Sequence, residues 1–239
     1  MGFKQTIKNA INKVENIMFP HFVCPICERE TPDGKLCENC LKLKIQPNFC
    51  EICGEHVSAE SKICLECKEM NRIFDWHGSV LLYGEAVSRS VQKLKFAGAK
   101  YLAKDFAKLL AEKFVTDNID VDLVTFVPST AKRIKQRGYN QAEEIAKNFC
   151  EIVNLPCVAV LDKIKDTAEQ KELSRKDRLK NLIDSFAVKD VALVKGKNVL
   201  VIDDVFTTGS TMTACAKAMK KAKANKIYCL TVAKTKNIR

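Results

Sequence analysis

The sequence predicts an α/β protein: a doubly wound, mostly parallel sheet behind a small N-terminal cysteine-rich module. Three observations carry that expectation. Residues Val199 to Thr211 read V-L-V-I-D-D-V-F-T-T-G-S-T, an apolar β-rich run that meets two acids and then a loop of glycine and hydroxyls. From residue 73 onward, short apolar runs alternate with amphipathic stretches, the pattern of β–α units. Before that point, eight cysteines fall into four C-x-x-C pairs between Cys24 and Cys67.

Composition narrows the class. A chain of 239 residues can hold one sizeable α/β domain and a small module. Forty basic residues against twenty-nine acidic ones give a formal charge of +11, which suits polyanionic partners. Eight thiolates holding two Zn²⁺ would lower that figure to about +7 and leave the protein basic. No apolar run approaches the ~20 residues of a membrane span, and no signal peptide is visible. The cysteine spacing argues for metal binding over a secreted disulfide scaffold, so a cytoplasmic location is expected.

Residues 1–19 carry the first element. Phe3, Ile7, Ile11, Val14 and Met18 form one helical stripe, with lysines 4, 8 and 13 off it. Packing on the protein's own body is the plainer reading, and a basic amphipathic helix would also suit peripheral contact with a membrane surface or a partner.

Residues 20–72 are expected to form two zinc knuckle units. Cys24 and Cys27 are followed by Cys37 and Cys40, and Cys50 and Cys53 by Cys64 and Cys67. Each C-x-x-C knuckle offers two thiolates to one metal, so four knuckles imply two structural Zn²⁺, paired in sequence order or cross-braced. Redox chemistry would need one pair beside a βαβ unit, and four in tandem do not fit it. So small a module has little apolar core, and the metal should supply most of its folding free energy. Cys150, Cys157, Cys215 and Cys229 stand in apolar surroundings and read as small buried hydrophobes.

Residues 73–239 are expected to form the larger domain. Ile73 to Tyr83 reads as strand and turn, with Trp76 and His77 as packing residues. Val87, Val91 and Leu94 mark one helix, and Leu102, Phe106, Leu109, Leu110 and Phe114 mark a second. Asp122 to Val127 is the next strand, ended by Pro128. A loop with Ser129, Lys132, Arg133, Lys135 and Arg137 follows, then a helix through Cys150. A cation-rich loop at the carboxyl end of a parallel strand lies where α/β sheets bind ligands, and its chemistry suits a pyrophosphate. Asp162 to Phe186 is charged and nearly free of apolar residues, the composition of a lid or solvated excursion. The strand Val199 to Ile202 then leads into Asp203 and Asp204, the loop Thr207 to Thr211, an amphipathic helix to Lys223, and a last strand over Ile227 to Val232. A strand, a Gly-bearing loop and a helix N-terminus together make a phosphate cradle, because backbone N–H groups and the helix dipole favour an anion. The two carboxylates suit sugar hydroxyls, or a metal shared with them.

The stretch Val199 to Thr211 closely resembles the PRPP-binding motif of type I phosphoribosyltransferases. That resemblance implies that Asp203 and Asp204 hold the ribose hydroxyls. It makes Val205, Phe206, Thr207, Thr208, Gly209, Ser210 and Thr211 the PRPP- and phosphate-binding loop. Purine-salvage members carry an aspartate where this chain has Thr207, which speaks against a purine acceptor. The four C-x-x-C pairs, R-G-Y-N-Q at 137 to 141, the set Thr167, Gln170, Leu173, Ser174, Arg178, Asn181 and Phe186, and D-D-V-F-T-T-G-S-T together resemble the ComF family. Membership would imply a double zinc ribbon fused to a phosphoribosyltransferase domain, and a part in the uptake of single-stranded DNA during natural transformation.

On that resemblance the expected ligands are PRPP or a nucleotide, with Mg²⁺, and single-stranded DNA. If the domain is catalytic, pyrophosphate would leave the ribose C1′ of PRPP. Asp203 and Asp204 would hold the hydroxyls and the shared Mg²⁺, while Ser129, Lys132, Arg133 and Arg137 would receive the pyrophosphate. Residues 167 to 178 would close as a lid. Two other readings stand beside a DNA-handling protein: a nucleotide-salvage phosphoribosyltransferase, and a zinc-ribbon adaptor docking a DNA-translocating ATPase. No Walker A motif is present, so the chain is not itself such a motor. Tyr139, Phe206, Phe49 and Phe74 are the aromatics this reading offers for base stacking.

Overall fold

The computed structural model describes residues 22–45, 50, 57–58, 61, 63–65, 73–164 and 185–235. The expected N-terminal amphipathic helix, Cys53, Cys67, Phe49 and the proposed lid at 167–178 lie outside the described residues. The chain divides into two compact units between Leu43 and Lys44. The boundary expected from sequence, near residue 72, falls in a stretch whose residues 66–72 are not described.

The first unit is built from tight backbone turns. The Cys24 N–H donates to the Arg29 carbonyl at 2.8 Å and the Glu28 N–H to the Cys24 carbonyl at 2.9 Å, which closes the first knuckle. Glu28 takes the left-handed conformation that this turn needs, with φ of 61°. Helix α1, Glu38–Leu41, carries the second knuckle, with Cys37 at its N-cap.

The second unit holds a four-stranded parallel sheet. Its strands are β1 (Trp76–Tyr83), β2 (Leu123–Phe126), β5 (Val199–Phe206) and β6 (Ile227–Thr235), in the order β1-β6-β5-β2. Beyond β2 the sheet continues through a parallel bridge from Val124 to Cys157. Two short strands, β3 (Leu161–Lys163) and β4 (Phe186–Val188), pair antiparallel and bracket the polar segment.

Helices cover both faces, as a parallel sheet requires. Helices α2 (Glu85–Phe96), α3 (Tyr101–Asp117) and α5 (Gln141–Val153) pack on one side, where α5 lies against β2 and β5. Phe106, Leu110, Ile145 and Phe149 are fully buried there, and Phe114 meets Phe149 edge to face at 5.4 Å. Helix α6 (Ser210–Lys221) covers the other side. Its Met212, Cys215 and Met219 share a core with Val199, Val201, Ile227, Cys229 and with Phe186 of β4. The alternation of Val199 and Val201 to one face, against Leu200 and Ile202 in the same buried strand, is the period of two that a β-strand imposes.

Two differences from the sequence expectation stand out. The cationic stretch after Pro128 is a helix, α4 (Ala131–Arg137). Thr130 starts it by accepting the Arg133 N–H, and Gly138 ends it in the left-handed region with φ of 83°. The second difference is that β5 runs through Phe206, so both aspartates lie within the strand.

The topology fixes where a ligand can sit. From β5 the chain crosses to β6 on one side, while β2 lies on the other and extends away from it. The carboxyl ends of β2 and β5 therefore form the switch point, the crevice where open α/β sheets bind ligands. The segment after β2 and the loop after β5 both open there.

Candidate functional site

The first unit brings Cys24, Cys27, Cys37 and Cys40 together, with all four Sγ atoms within 4.8 Å of one another. The Sγ atoms of Cys27 and Cys37 are 3.5 Å apart. A tetrahedral zinc with Zn–S bonds of about 2.3 Å has S···S edges of about 3.8 Å. The cluster fits that ion, and it joins the first two knuckles in sequence order. The Cys40 backbone N–H draws the Cys37 thiol down to about 7, while burial pushes Cys40 up. Of the second set, Cys50 and Cys64 pack with Val57 and Ile63 in one small apolar cluster.

The second site is built on the end of β5. Asp203 and Asp204 are neighbours on an extended strand, so their side chains leave on opposite faces of the sheet. Asp204 is buried, and its Oδ2 lies 2.8 Å from Lys95 Nζ of α2. The Asp203 Oδ1 accepts the Asp204 N–H at 2.8 Å. Burial, and then the Asp204 carboxylate, push Asp203 up to about 7, against the pull of Lys95. The sequence expectation gave the two acids one shared role. The structure places them in unequal settings.

Gly209 follows in the left-handed region, with φ of 76°, where a side chain would be strained. It is the N-cap of α6 and supplies no side-chain acceptor. The first N–H groups of a helix have no intrahelical partner, so this end suits an anion, and the Ser210 N–H makes only a long bond to Thr208 Oγ1 at 3.4 Å. Thr208 Oγ1 and Ser210 Oγ lie 2.7 Å apart and hold the loop's hydroxyls side by side.

Phe206 departs from the expectation. Its side chain is buried and stacks on His77 with ring centroids 3.8 Å apart, while Phe74 meets it edge-on at 6.4 Å. His77 Nε2 lies 3.1 Å from both Ser79 Oγ and Thr231 Oγ1, and packs as expected. Phe74, Tyr139 and Phe206 are all buried, so none of them is open to a base. The reason is packing: apolar rings beside a parallel sheet gain more from the core than from solvent.

The R-G-Y-N-Q motif forms a structural joint. Arg137 Nη1 donates to Gln141 Oε1 at 3.0 Å, and its guanidinium lies 4.7 Å from the Phe96 ring centre. Tyr139 Oη donates to the Leu94 carbonyl. Asn140 caps α5 by accepting the Ala142 N–H at 3.1 Å, donates to the Val127 carbonyl at 3.0 Å, and receives Ser129 Oγ at 3.2 Å. Of the residues expected to receive pyrophosphate, Ser129 and Arg137 therefore serve this joint, while Lys132 is exposed on α4. Sequence reasoning missed Lys95, whose partner lies more than a hundred residues away, and the capping role of Asn140, whose place before the helix was the available signal.

The double zinc ribbon domain family matches residues 14–68, and the phosphoribosyl transferase domain family matches residues 101–238. Among individual proteins, a competence protein F of Haemophilus influenzae is 27% identical over 85% of this chain and 93% of its own length. A competence protein ComFC of Bacillus subtilis is 28% identical, covering 84% of this chain and 85% of itself. A DNA utilization protein, YhgH, of Salmonella typhimurium is 25% identical over 82% of this chain and 89% of itself. Among the described residues no helix is long and apolar enough to cross a membrane.

Proposed function

The chain belongs to the phosphoribosyl transferase domain family, with a double zinc ribbon ahead of that domain as in the ComF family, and from this premise we propose that it acts in DNA uptake. In this reading it grips a phosphoribosyl group at the end of β5, and binds single-stranded DNA through its basic surface. The observation that carries the proposal is the open N-terminus of α6. It begins at a left-handed glycine that supplies no capping side chain of its own, a short loop beyond the strand that carries the two acids.

The roles follow from the chemistry of each group. The N–H groups at the start of α6 and the hydroxyls of Thr208 and Ser210 would take the 5′-phosphate of PRPP or of a nucleotide. Asp203 and Asp204 would accept hydrogen bonds from the ribose hydroxyls. Carboxylate oxygens are also the donors Mg²⁺ takes, and it would supply positive charge beside a pyrophosphate. Because Lys95 already compensates Asp204, the larger share of such an ion would fall to Asp203. Lys132 and Arg133 of α4, at the same crevice, would offer cations to a pyrophosphate or to a DNA backbone.

Calorimetric titration with PRPP and Mg²⁺, followed by a pyrophosphate-release assay against a panel of bases, tests this reading. Binding of PRPP without turnover is the expected result. Turnover on a base would make the protein a phosphoribosyltransferase of nucleotide salvage. Absence of PRPP and nucleotide binding would remove the phosphoribosyl grip.

A further inference from the structure

The aromatics open to solvent in the second unit lie beside the cationic helix. Among the described residues from Lys44 onward, Phe96 at 64% exposure and Tyr101 at 59% are the exposed large aromatics. Phe96 closes α2 and Tyr101 opens α3, with Gly98 turning the chain between them at φ of 67°. Phe74, Tyr139 and Phe206, nearby in the same domain, are buried, so exposure of these two rings is particular to this corner.

The corner is also cationic and rigid. The Arg137 guanidinium backs the Phe96 ring at 4.7 Å, and Gln141 fixes that guanidinium in turn. Tyr139 anchors the turn before Phe96 through the Leu94 carbonyl, and Lys100, next to Tyr101, covers the Tyr139 ring at 4.6 Å. Helix α4 adds Lys132, Arg133 and Lys135 with no acid among its residues, and its Ile134 is exposed. Lys100 also lies 3.5 Å from Glu144, a carboxylate at the edge of the corner.

We propose that Phe96 and Tyr101 form a stacking platform for the bases of single-stranded nucleic acid, with α4 holding the backbone phosphates. This rests on the DNA reading above and says where the strand lies. A ring backed by a fixed guanidinium has one face left for a flat partner, and little side-chain freedom is lost when that partner arrives. Single-strand binders combine such platforms with a positive groove, and stacking tolerates every base because each has a π-face. An anionic lipid surface would meet the same cations and also seat exposed rings. A ring backed by a guanidinium offers its free face to a flat partner, which favours a stacked base over an acyl chain.

Fluorescence anisotropy with a labelled thymidine oligonucleotide and an abasic strand of equal length and charge tests the platform. The parent chain should bind the base-bearing strand about tenfold more tightly than the abasic one. Phe96→Leu and Tyr101→Leu keep apolar bulk and remove the π-face. Each should weaken binding of the base-bearing strand several-fold and leave the abasic strand unchanged. Quenching of 2-aminopurine in the bound strand should fall in the same variants. Equal binding of both strands by the parent would overturn the platform while leaving the backbone grip intact. Unchanged affinity in both folded variants would overturn it as well. Failure of the parent to bind either strand would instead remove the DNA reading on which the platform rests. Phe96-dependent binding to vesicles of anionic phospholipid, without DNA binding, would assign the corner to a membrane and overturn the proposal.

Discussion

Lys95 Nζ and Asp204 Oδ2 lie 2.8 Å apart and join the last turn of α2 to the end of β5. The same turn of α2 is gripped from the other side, because Leu94 accepts from Tyr139 and Phe96 lies under Arg137. The R-G-Y-N-Q motif thus sets the height of Lys95, and Lys95 sets the carboxylate. Three stretches far apart in sequence meet at one acid of the crevice.

Lys95→Met should leave a buried carboxylate without its cation, at a cost of about 2–4 kcal/mol. The double variant Lys95→Met with Asp204→Asn should recover much of that loss, since the uncompensated charge is gone. Thermal unfolding of the four proteins in the cycle measures the coupling. Simple additivity would mean that the pair contributes nothing.

Asp203 carries a pH signature. Its carboxyl is pushed from an ordinary 3.8 up to about 7 in the folded chain. Between those values the folded state holds the proton more firmly than the unfolded one, so stability falls as pH rises from about 4 to about 7 and is level above. Asp203→Asn, which needs no ionisation, should unfold several degrees higher than the parent at pH 8 and nearly with it at pH 4. The same variant should bind PRPP more weakly. A stability gap that does not vary with pH would contradict the assignment.

The zinc unit makes a separable prediction. Cys24→Ser should lower the zinc content by one equivalent and unfold the first knuckle pair, while the parallel-sheet unit keeps its transition temperature. Elemental analysis of the purified variant reads the metal directly. Full retention of zinc would show that Cys24 is not a ligand.

The joint at 137–141 predicts a structural penalty. Asn140→Ala removes the cap of α5 together with the ties to Val127 and Ser129, and should cost about 1–2 kcal/mol. Tyr139→Phe removes one hydrogen bond, to Leu94, and should cost about 1 kcal/mol. Urea unfolding separates the two. Variants as stable as the parent, but defective in ligand binding, would return the motif to the ligand.

Much of this was legible in the chain, for identifiable reasons. Val199 to Ile202 reads as a buried parallel strand because all four residues are apolar, and it is one. The first two knuckles announce their cluster by spacing, since C-x-x-C fixes the thiolate geometry locally. Helix α4 was harder, because its five polar or charged positions mask the two signals that define it, Thr130 at the cap and Gly138 at the stop. The Lys95–Asp204 pair has no local trace, as it depends on how α2 crosses the sheet. The burial of Phe206 and Tyr139 depends likewise on neighbours supplied by β1 and α2.

The central claim is that the turn from β5 into α6 holds a phosphoribosyl phosphate, and Gly209→Val tests it most directly. Valine at a φ of 76° is strained, and its branched side chain would crowd the N–H groups meant for the anion. Calorimetric titration of parent and variant with PRPP and Mg²⁺, each checked for a cooperative unfolding transition, is the measurement. The account predicts saturable binding by the parent and none by a folded variant. Equal binding by both would place the phosphate elsewhere and contradict it.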